Sequence, residues 1–164
     1  SASGALPGAS ATGYYYLTKD FSLERTDLTT IAYLDLNGKT VTASNSWNIR
    51  IESALANYSI TDSKGTGTIK MPDNHSFGAW GSLLFYNYAG TFTLYNGTID
   101  MTNVAEVPYA MIDVNKGAFV MNGGVIKGAQ KGTSYSNCIN ARGTGTVTLK
   151  IQPQGNKSLG LLFF

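Results

Sequence analysis

Two acidic residues, Glu52 and Asp113, are the pair whose spacing could support catalysis. If both side chains point outward from one parallel sheet, with Tyr86, Asp113 and Asn140 below Glu52 in successive repeats, two strand spacings separate the acids, about 9.6 Å. Inverting glycosidases hold their two carboxylates about 6.5–9.5 Å apart. The alternative is a solvated face of mixed polar residues, which Arg50 would share. We favour this alternative and predict no catalytic residue.

Aromatic side chains offer a second kind of chemistry, which is stacking on sugar rings. Trp80, Phe77 and His75 lie in the longest segment between predicted strands, residues 71–82. Long loops on a rigid scaffold often carry binding sites, so these residues and Tyr86 are predicted ligand contacts. The alternative is that Trp80 and Phe77 fold back over the core. Further candidates for stacking are Trp47, Tyr88 and Tyr95.

The composition gives little support for a metal site, a cofactor, nucleic-acid binding or membrane insertion. His75 is the only histidine and Cys138 the only cysteine, so we predict no metal site, no cofactor and no internal disulfide. The net charge is +2 without a basic cluster, which argues against nucleic-acid binding. The sequence has no apolar run of about 18 residues, so we predict no membrane insertion.

An internal repeat must position these candidates. The segments 92–100 and 119–127 match position by position and begin 27 residues apart. Segments 34–42 and 58–69 follow the same pattern. It consists of an apolar-polar-apolar strand, a turn with Asn or Gly, and a second short strand. Such a period is typical of a β-solenoid, whereas a sandwich pairs its strands as hairpins. We therefore predict an all-β fold, a right-handed parallel β-helix of about five coils.

Alternation along each strand predicts which side chains form the core. Like residues then stack in ladders from coil to coil. The first inward set is Leu34/Leu36, Tyr58/Ile60, Phe92/Leu94, Phe119/Met121 and Val147/Leu149, and the second is Val41, Ile69, Ile99 and Ile126. The turn residues Asn37, Asn96 and Asn122 can bond the next coil through their amides. An outward row is Thr40, Thr68, Thr98 and Val125, with Thr42, Lys70, Asp100 and Lys127 two positions on.

The chain divides into three predicted parts. Residues 1–13 form a flexible N-terminal segment, 14–156 the β-helix domain, and 157–164 an apolar strand or a truncation point. Residues 14–23 would begin the solenoid and cover one end. Because open solenoid ends expose strand edges, end-to-end self-association is an alternative.

Several blocks of this sequence resemble a known family. They are Tyr15–Leu23, Leu34–Thr42, Ile60–Ile69 and the two Asn-Gly repeats. Together these blocks resemble the right-handed β-helix region of bacterial cell-surface adhesin-like proteins, related in fold to pectate lyases. The resemblance implies a secreted or surface-anchored, extracellular module without catalysis, for adhesion or structural presentation, with a glycan or a host surface protein as partner. A polysaccharide lyase or glycoside hydrolase and a self-assembling filament subunit stay open as alternatives, because one fold hosts many functions.

Overall fold

All the regular structure in the described part of the chain is β-strand. The structure, a computed structural model, describes residues 12–23, 26–28, 31–43, 47–51, 53–73, 83–104, 110–128 and 137–150. These residues form sixteen strands in three sheets, and every paired strand runs parallel to its neighbour. Residues 1–11 and 157–164 lie outside the described part, and the first strand begins at Gly13.

Successive strands along the chain enter successive sheets. The first sheet contains β1 (Gly13–Tyr16), β4 (Ile31–Asp35), β7 (Asn57–Thr61), β10 (Thr91–Leu94), β13 (Ala118–Met121) and β16 (Thr146–Leu149). The second contains β2 (Phe21–Leu23), β5 (Thr40–Ala43), β8 (Thr68–Lys70), β11 (Thr98–Asp100) and β14 (Val125–Lys127). The third contains β3 (Thr26–Leu28), β6 (Trp47–Ile51), β9 (Leu83–Asn87), β12 (Ala110–Val114) and β15 (Asn137–Ala141). This order is a parallel β-solenoid, which confirms the predicted fold class; its right hand stays a prediction from the general handedness of parallel crossovers.

The inward ladders of the first sheet differ from the predicted register at one coil. The prediction aligned Leu34 with Tyr58 and Leu36 with Ile60, but Ala32 pairs with Tyr58 and Leu34 with Ile60. Leu36 is buried just beyond the end of β4. A shift of two residues keeps every side chain on the same face, so hydrophobic alternation alone could not detect the error. The ladder in the second sheet pairs Val41, Ile69, Ile99 and Ile126 as predicted.

An aromatic column occupies the centre of the core. The rings of Tyr58 and Phe92 stack with centroids 6.2 Å apart, and those of Phe92 and Phe119 with centroids 6.0 Å apart. All three side chains are buried. The column arises because equivalent residues of consecutive coils lie one strand spacing apart, which parallel pairing imposes.

The turn after the first-sheet strands is tied across coils by polar side chains. Asn37 adopts a positive φ of 50° and donates its side-chain N–H to the Leu17 carbonyl at 2.9 Å. Asn96 donates in the same way to the Asp62 carbonyl at 3.0 Å. Two of the three predicted cross-coil bonds, those of Asn37 and Asn96, are therefore present, and they run to the preceding coil and not to the next one. The buried Asp62 carboxylate adds two bonds, accepting from the Gly38 N–H at 2.7 Å and the Gly67 N–H at 2.6 Å.

The hydroxyl of Tyr58 gives a first testable consequence of this packing. Among the described residues it is a buried oxygen without a hydrogen-bond partner, and burial, with the nearby Tyr15, raises the pKa of Tyr58. An unsatisfied buried polar group costs about 1–3 kcal/mol, so Tyr58→Phe is expected to increase the free energy of unfolding by about 1 kcal/mol in urea denaturation. The matched control is Tyr15→Phe, which removes a hydroxyl that donates to the Thr12 carbonyl at 2.9 Å and should bring no gain. A less stable Tyr58→Phe protein would contradict the assignment.

Candidate functional site

Most residues predicted to contact a ligand lie outside the described part of the chain. This applies to Trp80, Phe77 and His75, and also to the catalytic candidate Glu52. For Tyr86 the structure describes the backbone position on β9. The binding hypothesis for the 71–82 segment stays a prediction.

The polar row on the third sheet has a different first member from the one predicted. Asp113 aligns with Tyr86 on one side and Asn140 on the other, as expected. Tyr86 in turn aligns with Arg50 and not with Glu52. The physical reason is again a register shift of two residues, which alternation along a strand cannot detect.

Asp113 is completely buried and bound by a guanidinium group. Arg142 donates through Nε to both carboxylate oxygens, at 3.1 and 3.0 Å, and through Nη2 to Oδ2 at 2.7 Å. Asn140 donates to Oδ1 at 3.0 Å. Asp113 has 0% exposure, while 41% of the Arg142 side chain is exposed. Every residue of β12 is buried, so this carboxylate is the inner half of an ion pair beneath Arg142, closed to solvent.

An open groove of about 360 Å³ lies on the outer face of the first sheet. Two outward rows of this sheet line it, and we call it the tyrosine groove. One row runs Tyr14, Tyr33, Ser59 across β1, β4 and β7. The other runs Tyr16, Asp35, Thr61 across the same strands. Tyr95 extends the second row, because it follows β10 directly and donates its N–H to the Ile60 carbonyl at 2.8 Å.

The groove exists because these rows combine tall tyrosines with the shorter side chains of Asp35, Ser59 and Thr61. Tyr14 is 83% exposed and stacks on Tyr33 with ring centroids 4.7 Å apart. Tyr16 and Tyr95 are also largely exposed, while Ser59 is only 3% exposed. The tyrosines therefore form the walls, and the hydroxyl-bearing Ser59 and Thr61 lie between them. This arrangement presents aromatic surface and hydrogen-bonding groups to one ligand.

Asp35 supplies a negative charge to the same groove. Its Oδ1 accepts the N–H of Asn37 at 2.8 Å and the N–H of Ser63, in the next coil, at 2.9 Å. Burial acts to raise the pKa of Asp35, but the hydrogen bonds from Ser63 and Asn37 and the charge of Lys64 outweigh it and lower the pKa below its usual value. Asp35 is consequently ionised at neutral pH.

The sequence interpretation found one of the four tyrosines on the outward rows of the groove. Tyr95 was among the stacking candidates, whereas Tyr14 and Tyr16 were treated as the beginning of the solenoid and Tyr33 was not singled out. The available signal was the run of three tyrosines at 14–16. Once this run is a strand, alternation directs Tyr14 and Tyr16 to the same outward face, as the exposures of both residues confirm.

The outward face of the second sheet follows the predicted rows. Thr40, Thr68, Thr98 and Val125 pair in register. The row two positions further along also pairs in register, and its members are Thr42, Lys70, Asp100 and Lys127. The Nζ atom of Lys127 lies 3.4 Å from Oδ2 of Asp100. Half of the Lys127 side chain is exposed, so this row is a solvated surface with an ion pair of small energetic value.

Comparison with known proteins yields no match: no family model, no curated protein and no solved structure matches the chain. Within the described ranges, no helix is long and apolar enough to cross a membrane. The same ranges contain no group of three or more His, Cys, Asp or Glu residues that could hold a metal ion.

Proposed function

We propose that this chain is a non-catalytic β-solenoid module that binds a glycan in the tyrosine groove. It would serve adhesion or structural presentation in a secreted or surface-anchored bacterial protein, as its resemblance to adhesin-like β-helices implies. The observation that carries the proposal is the set of exposed tyrosines around a floor of hydroxyls. The alternative of a polysaccharide-active enzyme gains nothing from Asp113, whose carboxylate is buried beneath Arg142.

The chemistry of the groove matches the two kinds of surface on a sugar ring. The C–H face of a pyranose is apolar and packs on an aromatic ring, while its hydroxyls require hydrogen-bonding partners. Tyrosine provides a large, stiff contact surface with little loss of conformational entropy. Thr61, which is partly exposed, provides a hydroxyl between the rings, while Ser59 is almost fully buried in the floor. A few polar groups within a mainly apolar concave surface are typical of ligand sites.

The rows run along the solenoid axis, which indicates how the ligand lies. Tyr16 on β1 and Tyr95 after β10 are three strand spacings apart, about 14 Å. A linear glycan that contacts both tyrosines would therefore cross four coils. We expect the affinity to rise with oligosaccharide length until the ligand spans this distance, and to stay constant thereafter.

Glycan-array screening followed by calorimetric titration tests the proposal. For a glycan that binds, Tyr33→Ala and Tyr95→Ala are each expected to weaken binding about tenfold, because removal of an aromatic contact costs about 1–2 kcal/mol. The matched control is Tyr88→Ala, which removes a 41% exposed tyrosine outside the groove and should leave the affinity unchanged. No binding across a broad array, or equal binding by all three variants, would refute the proposal.

A further inference from the structure

We infer that the tyrosine groove selects glycans by charge, accepting neutral and amino-sugar chains and rejecting uronate chains, because Asp35 lies on its floor. This inference rests on the proposed function and specifies the ligand class of the same site. It depends on three features, which are the place of Asp35 among the tyrosines, its fixed orientation and the charges around it.

Asp35 lies on the path between the outer tyrosines. It pairs with Tyr16 on one side and Thr61 on the other, and Tyr95 comes next in the row. Neighbouring members of the row are about 4.8 Å apart. A glycan that covers both Tyr16 and Tyr95 therefore passes directly over the Asp35 carboxylate.

The Asp35 carboxylate is held in place by two hydrogen bonds, and it cannot turn away from a repelling ligand without losing them. Two backbone N–H groups, from Asn37 and Ser63, bind Oδ1 and belong to turns of successive coils. Its pKa is lowered by these bonds, although burial opposes them. A pre-oriented anion of this kind attracts a protonated amine and repels a second carboxylate.

The remaining groove residues do not compensate this charge. Among the described residues that line the groove, Asp35 is the one with a formal charge, and the others are tyrosines, aliphatic residues and hydroxyl-bearing residues. Lys64 acts on Asp35 from the adjacent turn, but it is exposed and does not line the groove. The groove as a whole is thus acidic, and salt should weaken its charge preference.

Three oligosaccharides of equal length on one β-1,4-glucan backbone test the inference: the neutral glucose form, the glucosamine form and the glucuronate form. Titration calorimetry at low and high salt measures their affinities for the whole chain. At low salt we expect the glucuronate form to bind at least tenfold more weakly than the neutral form, and the glucosamine form at least as tightly. High salt should narrow these differences.

Asp35→Asn is the informative variant, because an asparagine oxygen can still accept both backbone bonds. We expect it to bring the affinities of the three ligands within about threefold of each other, as removal of one local charge requires. The matched control is Asp100→Asn, which neutralises another acid of lowered pKa on the second sheet, outside the groove, and should leave the preference unchanged.

The outcomes separate the two proposals. If the neutral oligosaccharide binds through Tyr33 and the glucuronate form binds with equal affinity, the charge selection is overturned and the proposal of glycan binding stays intact. No binding of any glycan would overturn both. If Asp35→Asn fails to fold, the salt dependence of the wild-type preference still decides the charge selection, because a preference without electrostatic origin would not respond to salt.

Discussion

Replacement of Phe92 by alanine is expected to lower the free energy of unfolding by about 3–5 kcal/mol, the range for removal of a buried phenylalanine. Phe92 is the middle ring of the aromatic column and stacks on Tyr58 and Phe119. The coils cannot close over the resulting cavity, because backbone hydrogen bonds to β7 and β13 hold β10 on both sides. Urea denaturation followed by circular dichroism measures the change.

The size of this effect relative to total stability makes it easy to detect. Domains of this class unfold with about 5–15 kcal/mol, so the variant should lose a large share of its stability. Phe92→Leu, which keeps most of the apolar volume, should lose clearly less. Thr148→Ala, an exposed position on β16, should change the free energy by less than about 0.5 kcal/mol. A loss below about 1 kcal/mol for Phe92→Ala would show that the column does not support the core.

Replacement of Arg142 by methionine is the second large expected loss, about 3 kcal/mol. The change removes three hydrogen bonds to Asp113, and its completely buried carboxylate keeps the hydrogen bond from Asn140. Loss of one partner of a buried ion pair typically costs about 3–5 kcal/mol. We place the effect at the low end because 41% of Arg142 is exposed and water can enter where it was.

A double variant distinguishes an unpaired charge from simple loss of packing. Asp113→Leu combined with Arg142→Met should recover most of the stability, because an apolar pair of similar volume often replaces a buried ion pair without loss. Lys127→Met is the matched control, since it breaks the exposed contact with Asp100 at 3.4 Å and should cost less than about 1 kcal/mol. Additive losses in the double variant would contradict the buried-charge explanation.

The solenoid could be predicted because its tertiary contacts repeat the sequence. Residues one period apart, such as Phe92 and Phe119, become direct neighbours on adjacent strands. Residues that match along the chain are therefore also residues that contact each other. This does not hold for folds that bring unrelated segments together. This is why the second-sheet ladder and the outward row at Thr40 had the correct register from sequence alone.

The candidate sites were harder to predict because they depend on relations between coils that the repeat does not encode. Asp113 had an expected place on the third sheet, but its ion-pair partner is Arg142, which is 29 residues away in sequence. The tyrosine groove likewise depends on which side chains lie next to each other on neighbouring strands. Ser59, which is 3% exposed, lies beside Tyr33 of β4.

The parallel β-solenoid, the alternation of inward and outward side chains and the asparagine turn could all be predicted from the sequence alone. They follow from periods of two residues and of one coil, which physical chemistry ties directly to side-chain direction and strand pairing. Leu149 is an exception among the predicted core residues, because it is 46% exposed on the last described strand. The register of Leu34, the burial of Asp113 and the gathering of four outward tyrosines near Asp35 became clear from the tertiary structure. A shift by two residues leaves the alternation unchanged, so the choice among registers, and with it the shape of the outer surface, rests on packing between coils.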